Sequence, residues 1–158
     1  MLDIQQFLKK ESVGTFKRIK TNAMNYQIKA SSTSNQDAII HIKQSDIAFG
    51  TTTKTADILP NPAELFLGSF SACMLKNVER FSDMMKFTYT KATLEVQATR
   101  LENPPRMDNI MYNLTIYSKD KKLNTNLLKK NIEKYGTIYN TVKLSCSISG
   151  TINVIDHV

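Results

Sequence analysis

Cys73 and Cys146 are the side chains of this chain best suited to covalent chemistry, and they are its only cysteines. A thiol attacks as the thiolate. A free cysteine, with a pKa of about 8.5, reaches that state near neutral pH only when its surroundings favour the charge. Cys73 lies within "NPAELFLGSFSACMLKN", with Asn77 one helical turn and Arg80 two turns further along the same side. Arg80 is the cation that helical spacing puts on the same side as Cys73, a spacing that equally lets it point to solvent. A cysteine on a helix is also a common small core residue, so spacing alone leaves a packed thiol and a reactive thiol both open. Cys146 falls in "KLSCSISGTINVI", in phase with Leu144 and Ile148, which turns it to the apolar side of an expected strand. There is no Cys-x-x-Cys spacing, phosphate loop or Ser-His-Asp pattern, and His41 and His157 lie far apart, so no metal or cofactor is expected.

The element that must carry Cys73 is a long helix starting near Pro62, since a proline is tolerated in a first turn. At about 100° per residue, Phe66, Leu67, Phe70, Met74, Val78, Phe81 and Met85 share one broad apolar arc. Gly68, Ser69, Ser71 and Ala72 cluster on the other side of its first half, which suits close approach of another helix; Lys76, Glu79 and Asp83 mark the exposed second half. Met74, Met84 and Met85 read as core or pocket filler.

Before this helix, "GTFKRI" and "NYQIKA" read as a hairpin around "KTNAMN", "AIIHIKQ" as a third strand, and the Thr-rich "TTTKTADILPNP" as a loop. After it, "TLEVQATRL" and "NIMYNLTIY" alternate as two strands joined by the turn "ENPPRMDN". "LNTNLLKKNIEKYG" has helical spacing and stops at Gly136, and "KLSCSISGTINVI" reads as a final strand.

Composition bounds the partners. The 158 residues, 41% of them hydrophobic, are expected to form a single domain over 1–158 with a polar N-terminal extension at 1–13. No apolar run approaches the roughly 18 residues of a membrane span, and "MLDIQQFLKKES" has no apolar targeting core, so a cytoplasmic location and no membrane partner are expected. The net charge of +7 is scattered over "FKRIK", "KDKK" and "LLKK" without stacking aromatics, so nucleic acid is not expected as a partner.

"NPAELFLGSFSAC" is similar to an Asn-Pro-x-Glu-Leu run leading through small residues to a reactive cysteine on a central helix. Together with "EKYGTIYNTV" and "ATRLENPPRMDNIMYNLTIY", it resembles the OsmC/Ohr family of thiol-dependent hydroperoxide reductases from about Gly14 onward. The resemblance implies an α+β fold, antiparallel strands around long central helices, and an intertwined homodimer with its sites at the interface. It implies that the Cys73 thiolate attacks an organic hydroperoxide, becomes a sulfenic acid, and is resolved by a second thiol.

With Arg80 from helical spacing, the resemblance adds Glu64 and Arg18 to Cys73 as candidate catalytic residues; Glu64 also reads as a first-turn acid favoured by the helix dipole. The sequence departs from the pattern at three places. Ala63 follows Asn61-Pro62 where the enzymes carry Glu, leaving Glu64 one position on and turned by about 100°. The turn "KTNAMN" offers Lys20 and no arginine, with Arg18 nearby. Gly136 stands where many members have the resolving cysteine. The expectation is a one-cysteine cycle with an external thiol reductant. The alternative is a non-catalytic or weakly active protein that binds a small apolar or acyl ligand at the dimer interface.

Overall fold

The computed structural model describes residues 24–156. The expected strand "GTFKRI", and with it the first hairpin, lies outside these residues, as do the extension 1–13, Arg18, Lys20 and His157. Strand β1 (Lys29–Ser32) takes up the end of "NYQIKA", and β2 (Ala38–Ile42) is the expected "AIIHIKQ" strand. A further strand, β3 (Ser45–Phe49), follows a two-residue turn in which Lys43 has a φ of 56°. The three form an antiparallel sheet in the order β1-β2-β3. His41 faces Asp46 across it, Nδ1 to Oδ1, at 2.7 Å.

The loop leading to the long helix is held at both ends. Gly50 N donates to Pro60 O at 3.0 Å. Asp37 Oδ1 accepts from Thr55 Oγ1 at 2.6 Å, from Thr51 N at 3.1 Å, and from the backbone N and Oγ1 of Thr52 at 3.3 Å each. These bonds, that of the Thr55 hydroxyl first, hold the Asp37 carboxyl below the usual carboxylate range against a smaller opposing cost of burial.

Helix α1 (Pro62–Met85) starts with a reciprocal cap. Asn61 Oδ1 accepts from Ala63 N and Glu64 N, while Glu64 Oε2 accepts from Asn61 N at 2.8 Å. The helix ends at Lys86, whose left-handed backbone lets its N–H return to Ser82 O. The expected arc is the buried one: Phe70, Met74, Val78 and Phe81 lie in the core, and Phe66 and Met85 pack partly against it. Met84, however, is exposed rather than core filler, because it lies about 100° off that arc.

The second sheet covers the arc. Strands β4 (Lys91–Glu102) and β5 (Pro105–Tyr117) pair antiparallel, with a bulge between Gln97 and Thr99. Strand β6 (Ile148–Ile155) adds to β5 in parallel, in the order β4-β5-β6. Ile110, Tyr112, Leu114 and Ile116 alternate into the core as expected. Tyr112 lies beside Gly150 on β6, where any Cβ would run into the tyrosine ring.

Helix α2 (Thr125–Tyr135) is capped by Asn124, whose Oδ1 accepts from Leu127 N, and buries Leu128 and Ile132. A short helix, α3 (Thr137–Val142), follows directly. The expected final strand therefore begins too early. Lys143 to Ser147 form a turn in which Leu144 is 84% exposed, so the Leu144–Cys146–Ile148 phase is not a strand face. No helix among the described residues is long and apolar enough to cross a membrane.

Among the described residues, two faces remain uncovered. Gly68, Ser69 and Ala72 are exposed, and a Cβ built at Gly68 meets nothing within 4 Å, so the small-residue side of α1 is open in the protomer rather than buried. Among the described residues, the first sheet makes no extensive contact with the helices or the second sheet.

Candidate active site

Cys73 is half-buried in the middle of α1, at the boundary between the core arc and the open small-residue side. Its nearest polar partner is on the next turn. Asn77 Nδ2 donates to Cys73 O at 2.8 Å and lies 3.7 Å from Cys73 Sγ. The Asn77 side chain is itself buried, the residue being 7% exposed.

Against Asn77 packs the junction of α2 and α3. Gly136 N donates to Ile132 O at 2.8 Å, ending one helix, and Gly136 O accepts from Asn140 N at 2.8 Å, starting the next. A Cβ at Gly136 would lie 2.8 Å from Ile132 O, 3.1 Å from Tyr139 Cβ and 3.6 Å from Asn77 Nδ2. The backbone is normal there for any residue, with φ −70°, so close approach is what selects glycine. The position matched to a resolving cysteine thus does face the Cys73 turn, but it holds a backbone contact.

One turn before Cys73, Phe70 is fully buried between two tyrosines, with ring centroids 6.4 Å from Tyr112 and 5.9 Å from Tyr139. Tyr112 donates to Glu133 Oε1 at 3.4 Å, and Lys129 Nζ stands 3.8 Å from the same carboxylate. Burial, then the Glu133 charge, raises Tyr139 to about 12 and pushes Tyr112 up as well. The cluster went unseen in the sequence, where Tyr112 reads as an inward strand residue and α3, which supplies Tyr139, has no separate signal.

The other candidates fall elsewhere. The Glu64 carboxylate caps the first turn of α1, nine residues or about 13 Å of helix axis from Cys73. Arg80 is exposed, its guanidinium carbon 5.5 Å from the centre of the Phe81 ring rather than on the sulfur. Arg18 lies outside the described residues. Cys146 sits in the turn before β6, half-buried, with Sγ donating to Met107 O at 3.1 Å. Surface clefts lined by Thr88–Thr90 with Ser118–Asp120, and by Glu95–Gln97 with Met111–Asn113, do not include Cys73.

The family model for OsmC-like protein matches residues 54–150, which takes in α1, Cys73, Gly136 and the start of β6. The chain belongs to the OsmC-like family. Solved structures agree on the OsmC-like fold. An OsmC-like protein from Mycoplasma pneumoniae superposes with a TM-score of 0.72 at 18% identity, over 84% of this chain and 98% of that one. An organic hydroperoxide resistance protein OsmC from Legionella pneumophila gives 0.61 at 12% identity, over 84% and 100%. An organic hydroperoxide resistance protein from Elizabethkingia anophelis gives 0.60 at 15% identity, over 85% and 99%. At these identities the likeness is one of fold. A search of curated proteins finds no match. The expected α+β class and family are therefore met in this OsmC-like chain.

Proposed function

We propose that this OsmC-like chain reduces organic hydroperoxides through Cys73. The observation that carries the reading is a half-buried thiol at the middle of the central helix of an OsmC-like fold, with a side-chain amide beside its sulfur. The Cys73 thiolate attacks the terminal peroxide oxygen, the O–O bond breaks, and the alkoxide leaves and takes a proton from solvent, giving an alcohol and a sulfenic acid. An external thiol then condenses with the sulfenic acid, releasing water and forming a mixed disulfide. A second thiol attacks that disulfide and returns Cys73 to its reduced form. Gly136 supports an external reductant, since it supplies no internal thiol at the Cys73 turn.

The working unit in this reading is a homodimer. Among the described residues, Gly68 and Ala72 leave one side of α1 open and the first sheet makes no extensive contact with the helices or the second sheet, and a second copy covering that side would enclose Cys73. Arg18, Arg80 and Glu64 enter as candidates for activation, Arg80 after its side chain leaves Phe81. The experiment is mass spectrometry of the intact protein after limiting organic hydroperoxide with a dimedone-type trap. An adduct on Cys73, with hydroperoxide consumed in the presence of a small thiol, is the expected result; no adduct and no consumption would overturn it.

A second reading is favoured by the capping role of Glu64 and by Gly136: an OsmC-like binding protein for a small apolar or acyl ligand at the dimer interface, without efficient turnover. Ligand-dependent thermal stabilisation in a protein that consumes no hydroperoxide would favour it.

A further inference from the structure

We infer that Asn77 is the positioning residue of the Cys73 thiol: its side-chain amide holds the sulfur in place and donates to the thiolate. The inference rests on the thiol chemistry proposed above. A side-chain amide has an acceptor oxygen and a nitrogen carrying two hydrogens. Cys73 O is an acceptor only, so the nitrogen, at 2.8 Å, must be the atom that faces it. With one hydrogen used there, the second serves Sγ at 3.7 Å, a separation suited to a large, diffuse acceptor. A thiolate accepts that hydrogen more strongly than a thiol does, so the contact is strongest with the attacking form of the sulfur.

The amide is also buried, the residue being 7% exposed, and is held by its bond to Cys73 O. The α2–α3 junction lies beside it: a Cβ added at Gly136 would come 3.6 Å from Nδ2, so glycine keeps that space clear for the amide. Other charged or titratable groups do not take this place. On α1, Lys76 and Arg80 are exposed; on β4, Lys91 and Glu95 are exposed; on α2, Glu133 is engaged by the Tyr112 hydroxyl and by Lys129; on α3, Tyr139 packs against Phe70. Asn77 is thus the group that reaches the sulfur within the described protomer.

The test separates sulfur contact from structural support. Asn77→Ser keeps a donor for the carbonyl four residues back, as Ser71 Oγ already does to Leu67 O at 2.8 Å, but its hydroxyl is then spent on that carbonyl. Asn77→Asp keeps the shape and removes both donors. For the full chain and each variant, the rate of iodoacetamide labelling of Cys73 is read by peptide mass mapping as a function of pH, with circular dichroism alongside. Asn77→Ser is expected to label about tenfold more slowly near neutral pH, the cost of one charge-assisted hydrogen bond, and to converge with the unaltered protein at high pH. Asn77→Asp, with a carboxylate by the sulfur, should be slower still. Profiles that coincide with the unaltered protein in a folded variant would overturn the inference. Labelling needs no hydroperoxide: a shifted profile in a protein that consumes none would sink the peroxidase reading alone, and an unshifted profile in an active one would sink this inference alone.

Discussion

The two sulfurs differ in what surrounds them. Cys73 has an amide donor beside it and borders an open face, whereas Cys146 Sγ spends its own hydrogen on Met107 O in a turn. Cys73→Ser is expected to abolish hydroperoxide consumption with an external thiol, and Cys146→Ser to leave it nearly unchanged. A Cys73–Cys146 linkage in high yield in a peptide map of oxidised protein would count against that. The tyrosines make a second prediction. Tyr139 is raised to about 12, by burial first and then by Glu133, and Tyr112 is raised by the same causes. Tyrosine in the unfolded chain ionises near about 10. Between about pH 10 and about 12 the unfolded chain releases protons that the folded chain keeps, so stability falls as pH rises through that window. Tyr89, raised to about 12 by burial and its bond to Glu79, adds to the same loss. Denaturant melts should decline steeply there, and Tyr139→Phe should flatten the decline.

Helix α1 shows how far local signals reach. Its apolar arc, Pro62 start and small-residue side were legible because each is a repeat or a cap within one element. Gly68→Leu probes that side. Nothing within 4 Å opposes a Cβ at that position in the protomer, and leucine is the better helix former by roughly 0.8 kcal/mol. If the homodimer proposed above forms through this side, the variant should fold with unaltered circular dichroism yet fail to dimerise by light scattering, because overpacking acts only on the second copy. Equal masses for the variant and the unaltered protein would remove this side from the interface. Elsewhere local pattern misled. Lys143 to Ser147 alternates as a strand would, but the alternation is shared by a turn whose Leu144 points to solvent. Ser45 and Asp46 begin β3 with loop-forming residues, and only their pairing with Ile42 and His41 makes them a strand. The Tyr112–Glu133–Tyr139 group joins three elements, so no single window of sequence could contain it. Asn77 was visible as a neighbour of Cys73; its amide geometry was not.

Across the molecule, two sheets with different relations to the core share one chain. The second is fastened to α1 by Ile110, Leu114 and Ile116, while the first stands at the foot of α1 with Ala38 as its buried apolar residue. Between the first sheet and α1, the Asp37 carboxylate collects Thr51, Thr52 and Thr55, and Gly50 closes on Pro60. For a chain that assembles as proposed, that knot has an entropic consequence. Two molecules joined by arms on slack tethers must freeze those tethers on meeting, and each ordered segment subtracts from affinity. Here the tether is already frozen in the separate chain, so each arm arrives pre-aimed. Asp37→Ala should thus release the 50–60 segment to proteolysis and raise the concentration at which the dimer comes apart on dilution, while melting of the separate chain's main core stays close to that of the unaltered protein. An unchanged dissociation constant with a protease-sensitive loop would show that the arm needs no aiming.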